Sequence, residues 1–429
     1  MHKHRHPTFL RHGRKSVLSA SDGVRLAAFC AAMLGILPSC SKADPVGTSP
    51  AGSASSSAAP NPNAPPPKTV KRTTSGSIAV SNLNGQIQTL EKGLTAPDPN
   101  SKRARFLIDL WMIRAEMAGQ LADLEKAAEA AERLPIGDKD PVDNLLTRAS
   151  VRSAVHLFDA SLGDLDEAEK RGAPASKTRS TRVAVLAARG QVAEALTLAQ
   201  TAAAESPRLE SLGVYAVLLS ELGRRDEAVK TFREAFDKYT DTSPFPVAWL
   251  FFRQGQFWER EGQKDLAIAY YEAAVERVPS YGHAAAHAAR FYPPDKAETF
   301  LRGLVTSADD PELKSVLAQK LFDKGDRSGA EKLVREAAER YDNLVARHPA
   351  AFSDHAAQFW LDAGGDASKA LALARQNLTY RKTARSYELA ILAAISANDK
   401  KAACELGMEG QKAAKLSPIV IDVATGACK

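Results

Sequence analysis

The chain has 429 residues, with 57 Lys and Arg against 51 Asp and Glu, a formal charge of +6 and a pI near 9.0. Apolar residues at 44% and charged residues at 25% are ordinary for a globular chain, which excludes a wholly disordered protein. Four cysteines are too few for a disulfide scaffold, and no apolar run reaches the roughly 18–20 residues of a membrane-spanning helix.

The positive charge belongs to one end. Residues 1–25 hold Lys3, Arg5, Arg11, Arg14, Lys15 and Arg25 against Asp22 alone, which is +5 of the +6. The remaining 51 bases and 50 acids nearly cancel, so net charge gives no basis for nucleic-acid binding. Leu26–Leu37 (LAAFCAAMLGIL) follows without a charge, and a basic stretch before a short apolar run is the pattern of a secretory signal. The run ends at Leu37-Pro38-Ser39-Cys40, which resembles the bacterial lipobox, where a Leu stands three positions before the cysteine that is lipidated. Pro38 departs from that pattern's usual small residue. The expectation is a lipoprotein-type signal peptide over 1–39 and lipidation of Cys40, with a plain secretory peptide and an incidental cysteine as the alternative. In such lipoproteins Ser41, rather than Asp, after the cysteine implies the outer membrane, facing the periplasm. Residues 41–76 are almost entirely Ser, Ala, Pro, Gly and Thr with no aromatic residue, and so cannot bury enough surface to offset their ordering entropy. Residues 40–76 are therefore expected to be a disordered tether that reaches roughly 30–35 Å.

From about residue 80 the chain reads as amphipathic helices broken by short Gly, Pro or Asp/Asn turns, with almost no strand alternation. The clearest stretch, 248–281, sets Gly255, Trp258, Gly262, Ala267, Tyr271, Ala274 and Pro279 at the offsets of a 34-residue helix–turn–helix unit. These residues resemble the tetratricopeptide repeat (TPR). Gly223, Ala228, Phe232 and Ala235 mark the preceding unit, and Gly190, Ala195, Ala202 and Pro207 the one before. Gly163–Ala168, Gly325–Ala330, Gly365–Ala370 and Asn398–Ala403 each repeat the turn residue followed five positions later by alanine. The 63-residue gap between Gly262 and Gly325 leaves room for a degraded unit around Tyr281–Leu304. The resemblance implies that 77–429 is an all-α, TPR-like α-solenoid, a right-handed superhelix of helix–turn–helix repeats.

Such an array is by default a binding surface, because stacking gives a continuous groove lined by the first helix of each unit. Carried onto 248–281, the groove positions of the resemblance are Trp249, Phe252, Arg253, Gln256, Glu259 and Arg260. Two aromatics beside two arginines suit a peptide; packing of Trp249 and Phe252 against the neighbouring unit is the alternative. The Lys and Asn of the family's carboxylate clamp are missing from the unit that starts at 209, where Glu210, Gly213, Val214, Val217, Ser220 and Glu221 stand instead.

No catalytic constellation rises above background. His283 and His287 share a helical face at metal-binding spacing, but Ala284 stands where a metalloprotease carries its glutamate. His348 and His355 have no cysteine or acidic cluster beside them. Glu210-Ser211 resembles the start of a lytic transglycosylase site, whose Gly-Leu-Met-Gln element is absent. No metal, cofactor or catalytic residue is assigned. Signal cleavage and lipidation would leave Cys404 and Cys428, 24 residues apart, to pair in an oxidising compartment; two free thiols are the alternative. The expected function is a non-catalytic scaffold lipoprotein of the bacterial cell envelope that binds a protein or peptide, with a role in peptidoglycan processing as the second reading.

Overall fold

The computed structural model describes residues 65–66, 72–93, 102–414 and 416–428. The expected signal peptide, Cys40 and nearly all of the tether lie outside the described residues. Every described element is a helix. A leading helix, α1 (Gly76–Gly93), precedes nine antiparallel pairs. Unit one is α2 (Lys102–Ala118) and α3 (Leu121–Glu132), unit two α4 (Val142–Ala154) and α5 (Phe158–Lys170), and unit three α6 (Ala175–Ala188) and α7 (Val192–Glu205). Unit four is α8 (Leu209–Glu221) and α9 (Arg225–Lys238), unit five α10 (Phe245–Arg260) and α11 (Lys264–Arg277), and unit six α12 (Gly282–Phe291) and α13 (Pro294–Ser307). Unit seven is α14 (Pro311–Lys324) and α15 (Arg327–Arg347), unit eight α16 (Pro349–Leu361) and α17 (Ala367–Tyr380), and unit nine α18 (Ala384–Ser396) and α19 (Lys400–Ala413). A last helix, α20 (Pro418–Ala427), closes the array. The sequence pattern of a TPR-like α-solenoid is the fold observed.

The turn between the helices of a unit needs one residue in the left-handed region, where glycine escapes the Cβ clash. Gly190, Gly223, Gly262, Gly325 and Gly365 all have positive φ, and Asn398 takes the same role at +58°. Five residues later Ala195, Ala228, Ala267, Ala330, Ala370 and Ala403 are each fully buried, because only a methyl fits where the two helices approach. Gly255 makes the same point from the other helix: a Cβ there would meet the Tyr271 ring at 2.5 Å.

Two features depart from the sequence register. Gly163 lies inside α5 and turns nothing; the left-handed residue of unit two is His156, at φ +61°. Its ring stacks on Phe158 at 5.3 Å, and its Nδ1–H donates to the Ala350 carbonyl at 2.7 Å. These contacts hold a non-glycine residue where the chain pattern gave no signal. The degraded unit is a real hairpin, but α12 is short and its turn runs through Tyr292 and Pro293 in extended conformations, with Pro294 opening α13.

Successive turns of the superhelix touch edge to edge. Before α1, Thr74 N–H donates to Thr242 O at 2.7 Å, in the loop between units four and five. At the end of α2, the Met117 carbonyl accepts from Ser280 Oγ at 2.8 Å, between units five and six. The turn of unit one meets the next loop: Asp309 N–H donates to Gly119 O at 3.1 Å, and Gln120 Nε2 to Ser307 O at 2.6 Å. Unit two reaches Ala350 through His156, and Gly190 of unit three lies against Lys382 and Thr383. Each step along the first edge advances one loop along the second, as in a spring whose coils are in contact. One apolar core runs from Leu83 in α1 to Ala330 in α15, and another from Ala357 to Ala424. At the far end Cys404 of α19 and Cys428 after α20 form a disulfide, with Cα atoms 4.9 Å apart.

Candidate functional site

The groove positions carried onto unit five lie on α10, where every residue from Phe245 to Trp258 is buried. Trp249 and Phe252 are 2% exposed, Arg253 4% and Gln256 1%. Trp249 presses on Gly213 of α8, so these two aromatics take the packing alternative rather than face a partner. Phe252 sits edge-on to Tyr281 at 5.3 Å and to His287 at 5.4 Å. Glu259 is covered as well, and Arg260, the exposed member of the set, donates to Ser220 Oγ at 2.8 Å. The inner face at units five and six is therefore occupied by the protein's own side chains.

The histidine pair belongs to this interior. His287 Nδ1–H donates to Glu259 Oε2 at 3.1 Å, and Tyr271 Oη donates to the same oxygen at 2.5 Å. His283 Nδ1–H donates to Glu312 Oε2 at 2.8 Å, while its Nε2 faces Asp310 Oδ2 at 3.6 Å. Arg290 holds the other oxygen of Glu312 at 2.6 Å. Burial pushes the Glu312 carboxyl up, but the bond from His283 and the charges of Arg290 and both imidazoles outweigh it and hold the group well below the ordinary range. Burial likewise raises the Glu259 carboxyl, and the bond and charge of His287 bring it below its usual value.

His283, Asp310 and Glu312 are close enough to suggest a cation site. Their arrangement argues against one. The two carboxylates lie at opposite edges of one imidazole, so a single ion cannot take both with the ring nitrogen, and Arg290 already neutralises Glu312. The chemistry of this set is an ion-paired bridge that ties α12 to the start of α14. His348 precedes α16 and His355 lies within it, beside the buried Asp354–Arg381 pair, so both belong to the packing of unit eight.

Glu210 lies elsewhere, on the wall of a half-open cavity of about 180 Å³. α1 contributes Asn82, Leu83 and Gln86, α2 Leu110 and Ile113, and the segment before and into α10 Tyr239, Asp241 and Phe245. Burial, with Asp241 nearby, pushes the Glu210 carboxyl up against the opposing field of Arg208. Ser211, its neighbour, is spent on the helix start, where its Oγ donates to the Ser206 carbonyl at 2.5 Å. Glu210 stands out in the sequence but Asp241, Tyr239 and the hairpin wall do not, because they come from a loop, a helix end and two helices distant in the chain.

Residues 209–237, which are α8 and most of α9, match the tetratricopeptide-repeat family profile. The array they belong to has the TPR-like α-solenoid fold. The match falls on unit four rather than on unit five, whose signature residues Gly255, Trp258, Gly262, Ala267, Tyr271 and Ala274 nevertheless occupy the same packing positions. Among solved structures, the chain is similar to one in the crystal structure of the APC/C hetero-tetramer Cut9-Hcn1, at 14% identity and TM-score 0.46, covering 81% of this chain and 67% of that one. A tetratricopeptide repeat protein from Parabacteroides merdae is similar at 12% identity and TM-score 0.32, covering 67% and 99%. Human IFIT1, solved as a dimer with m7Gppp-AAAA, is similar at 14% identity and TM-score 0.42, covering 83% and 86%. No curated protein matches the sequence significantly.

Proposed function

We propose that this TPR solenoid is a non-catalytic scaffold that holds a protein or peptide partner in the bacterial cell envelope, anchored by a lipid on Cys40. The observation that carries the reading is the stack of nine TPR-like units, an architecture whose repeated edges and faces serve as interaction surface. The lipobox-like Leu37-Pro38-Ser39-Cys40 and the Ser/Ala/Pro tether behind it support attachment at a membrane.

The test is capture from membrane fractions. The wild-type chain should sediment with membranes and bring down one partner specifically, whereas Cys40→Ala should move to the soluble fraction. Arg260→Glu changes an exposed residue of the groove set and should reduce capture at least tenfold; Arg260→Gln, which adds no acid beside Glu221 and Glu259, should reduce it too and controls for stability. Arg253 is a poor probe, because its burial makes a glutamate there destabilising in itself. A membrane-free wild type, or capture that ignores Arg260, contradicts the proposal. The peptidoglycan reading takes over if purified protein releases muropeptides and Glu210→Gln abolishes the release.

A further inference from the structure

We propose that the cavity between the α1–α2 hairpin and the segment leading into α10 is a docking pocket for a lysine or arginine side chain of a protein partner. The inference rests on the scaffold reading above and names the contact through which the partner is chosen.

Size decides first. At about 180 Å³ the cavity is too small for a cofactor or a drug-sized ligand, which need roughly 300–1,000 Å³, but it accepts one extended side chain. Its walls are mostly apolar: Leu83 and Ile113 on one side, Phe245 and Pro246 on the other. Such walls suit the methylene stem of a long basic residue, which lies on apolar surface and carries its charge at the tip.

Charge decides second. Glu210 and Asp241 both line the cavity, no Lys or Arg lines it, and neither carboxylate forms an ion pair with a described residue. Carboxylates at other seams of the array do have such partners, as Asp123 has Arg114 and Asp164 has Arg148 and Arg152. The other polar groups in the wall do not replace a cation: Tyr239 Oη already donates to Ser243 O at 2.6 Å, and Asn82, Gln86 and the Ser243 hydroxyl are uncharged. Asp241 is held in place as its Oδ1 accepts from the Thr242 and Ser243 amides, the former at 2.5 Å. The raised carboxyl of Glu210 is consistent with this setting: burial, and to a smaller degree Asp241, push it up against its own backbone amide and the field of Arg208. An apolar side chain entering here would strip water from two carboxylates and return nothing, and an acidic one would add a third negative charge. A cationic tip satisfies both.

The experiment titrates the full-length protein with the peptide acetyl-Ala-Ala-Lys-Ala-Ala-amide and with its norleucine counterpart, read by saturation-transfer NMR. The lysine peptide should bind at least tenfold more tightly, with saturation strongest on its ε-methylene protons. Glu210→Gln combined with Asp241→Asn, which keeps the turn bonds of Asp241, should erase the preference while the melting temperature holds. Ala79→Leu, which fills the cavity and leaves both carboxylates, should erase it too. Equal binding of the two peptides, or a lysine preference that survives both variants, overturns the pocket. If the preference is absent while Arg260→Glu still reduces partner capture, the pocket falls and the scaffold reading stands.

Discussion

His156 shows how one residue ties local strain to the architecture of the whole. It holds a backbone conformation that a histidine rarely adopts, and its ring donates to Ala350 on the adjacent coil. Burial, reinforced by the charge of Arg381, depresses its pKa to about 3, so the folded ring is neutral. In the unfolded chain it titrates near 6.5, and between these values the unfolded state binds the extra proton. Stability therefore falls as the pH drops from 6.5 toward 3, by up to roughly 1.4 kcal/mol per unit from this group. Denaturant melts at pH 7 and pH 4.5 should show a smaller acid loss in His156→Asn than in wild type. An identical loss in both would refute the assignment. His283 behaves as a bridge rather than a switch. His283→Ala removes the ring shared by Asp310 and Glu312, leaves Glu312 to Arg290 and Asp310 to the Glu312 amide, and should cost about 1–3 kcal/mol in chemical denaturation. A cost under about 1 kcal/mol would mean the bridge carries no structural weight.

At the scale of elements, the helices and most of their turns were legible because each turn glycine reports a backbone requirement and each following alanine a packing one. The reading slipped where those demands were met by other means. In unit two, stacking and an inter-coil hydrogen bond stand in for glycine; in unit six, Pro293 and Pro294 fix the turn. The terminal staple was also legible, since the expected signal cleavage and lipidation would leave two cysteines whose spacing fits neighbouring helices. Gly407 of α19 packs so closely on Ala424 of α20 that a Cβ there would approach to 2.5 Å, and the Cys404–Cys428 bond closes the same seam. By the loop-entropy account the bond contributes about 3 kcal/mol. Reductant should raise amide exchange in 400–427 and leave α10 and α12 protected, because a repeat array frays from its ends. Loss of protection throughout the chain on reduction would contradict this.

The whole molecule is where the sequence was silent. Repeat periodicity describes neighbours, whereas the contacts between coils join residues 163 to 222 positions apart and leave no local pattern. Glu125 of α3 accepts from Arg340 at 2.7 Å and from Arg347 at 3.0 Å, and neither pairing follows from spacing. The groove expected at Trp249, Phe252, Arg253 and Gln256 is packed shut, which moves the search for a partner to the rims and to the cavity beside Glu210. Glu125→Lys sets three cations against one another at the coil-to-coil seam and should increase the maximum dimension measured by small-angle scattering. An unchanged profile would mean that this seam does not hold the coils together.

The closed superhelix itself has a direct signature at the start of α3. The first amides of a helix have no partner within it, yet Ala122 N–H donates to Asp309 Oδ2 at 2.9 Å and Leu121 N–H to its Oδ1. Asp309 comes from the next coil, and replacing this cap should cost about 1 kcal/mol. Residue-resolved hydrogen exchange at Leu121 and Ala122 is the measurement that decides. Coils in contact predict strong protection at both amides, lost in Asp309→Ala; exchange at the rate of an exposed helix start in the wild type would show the coils apart.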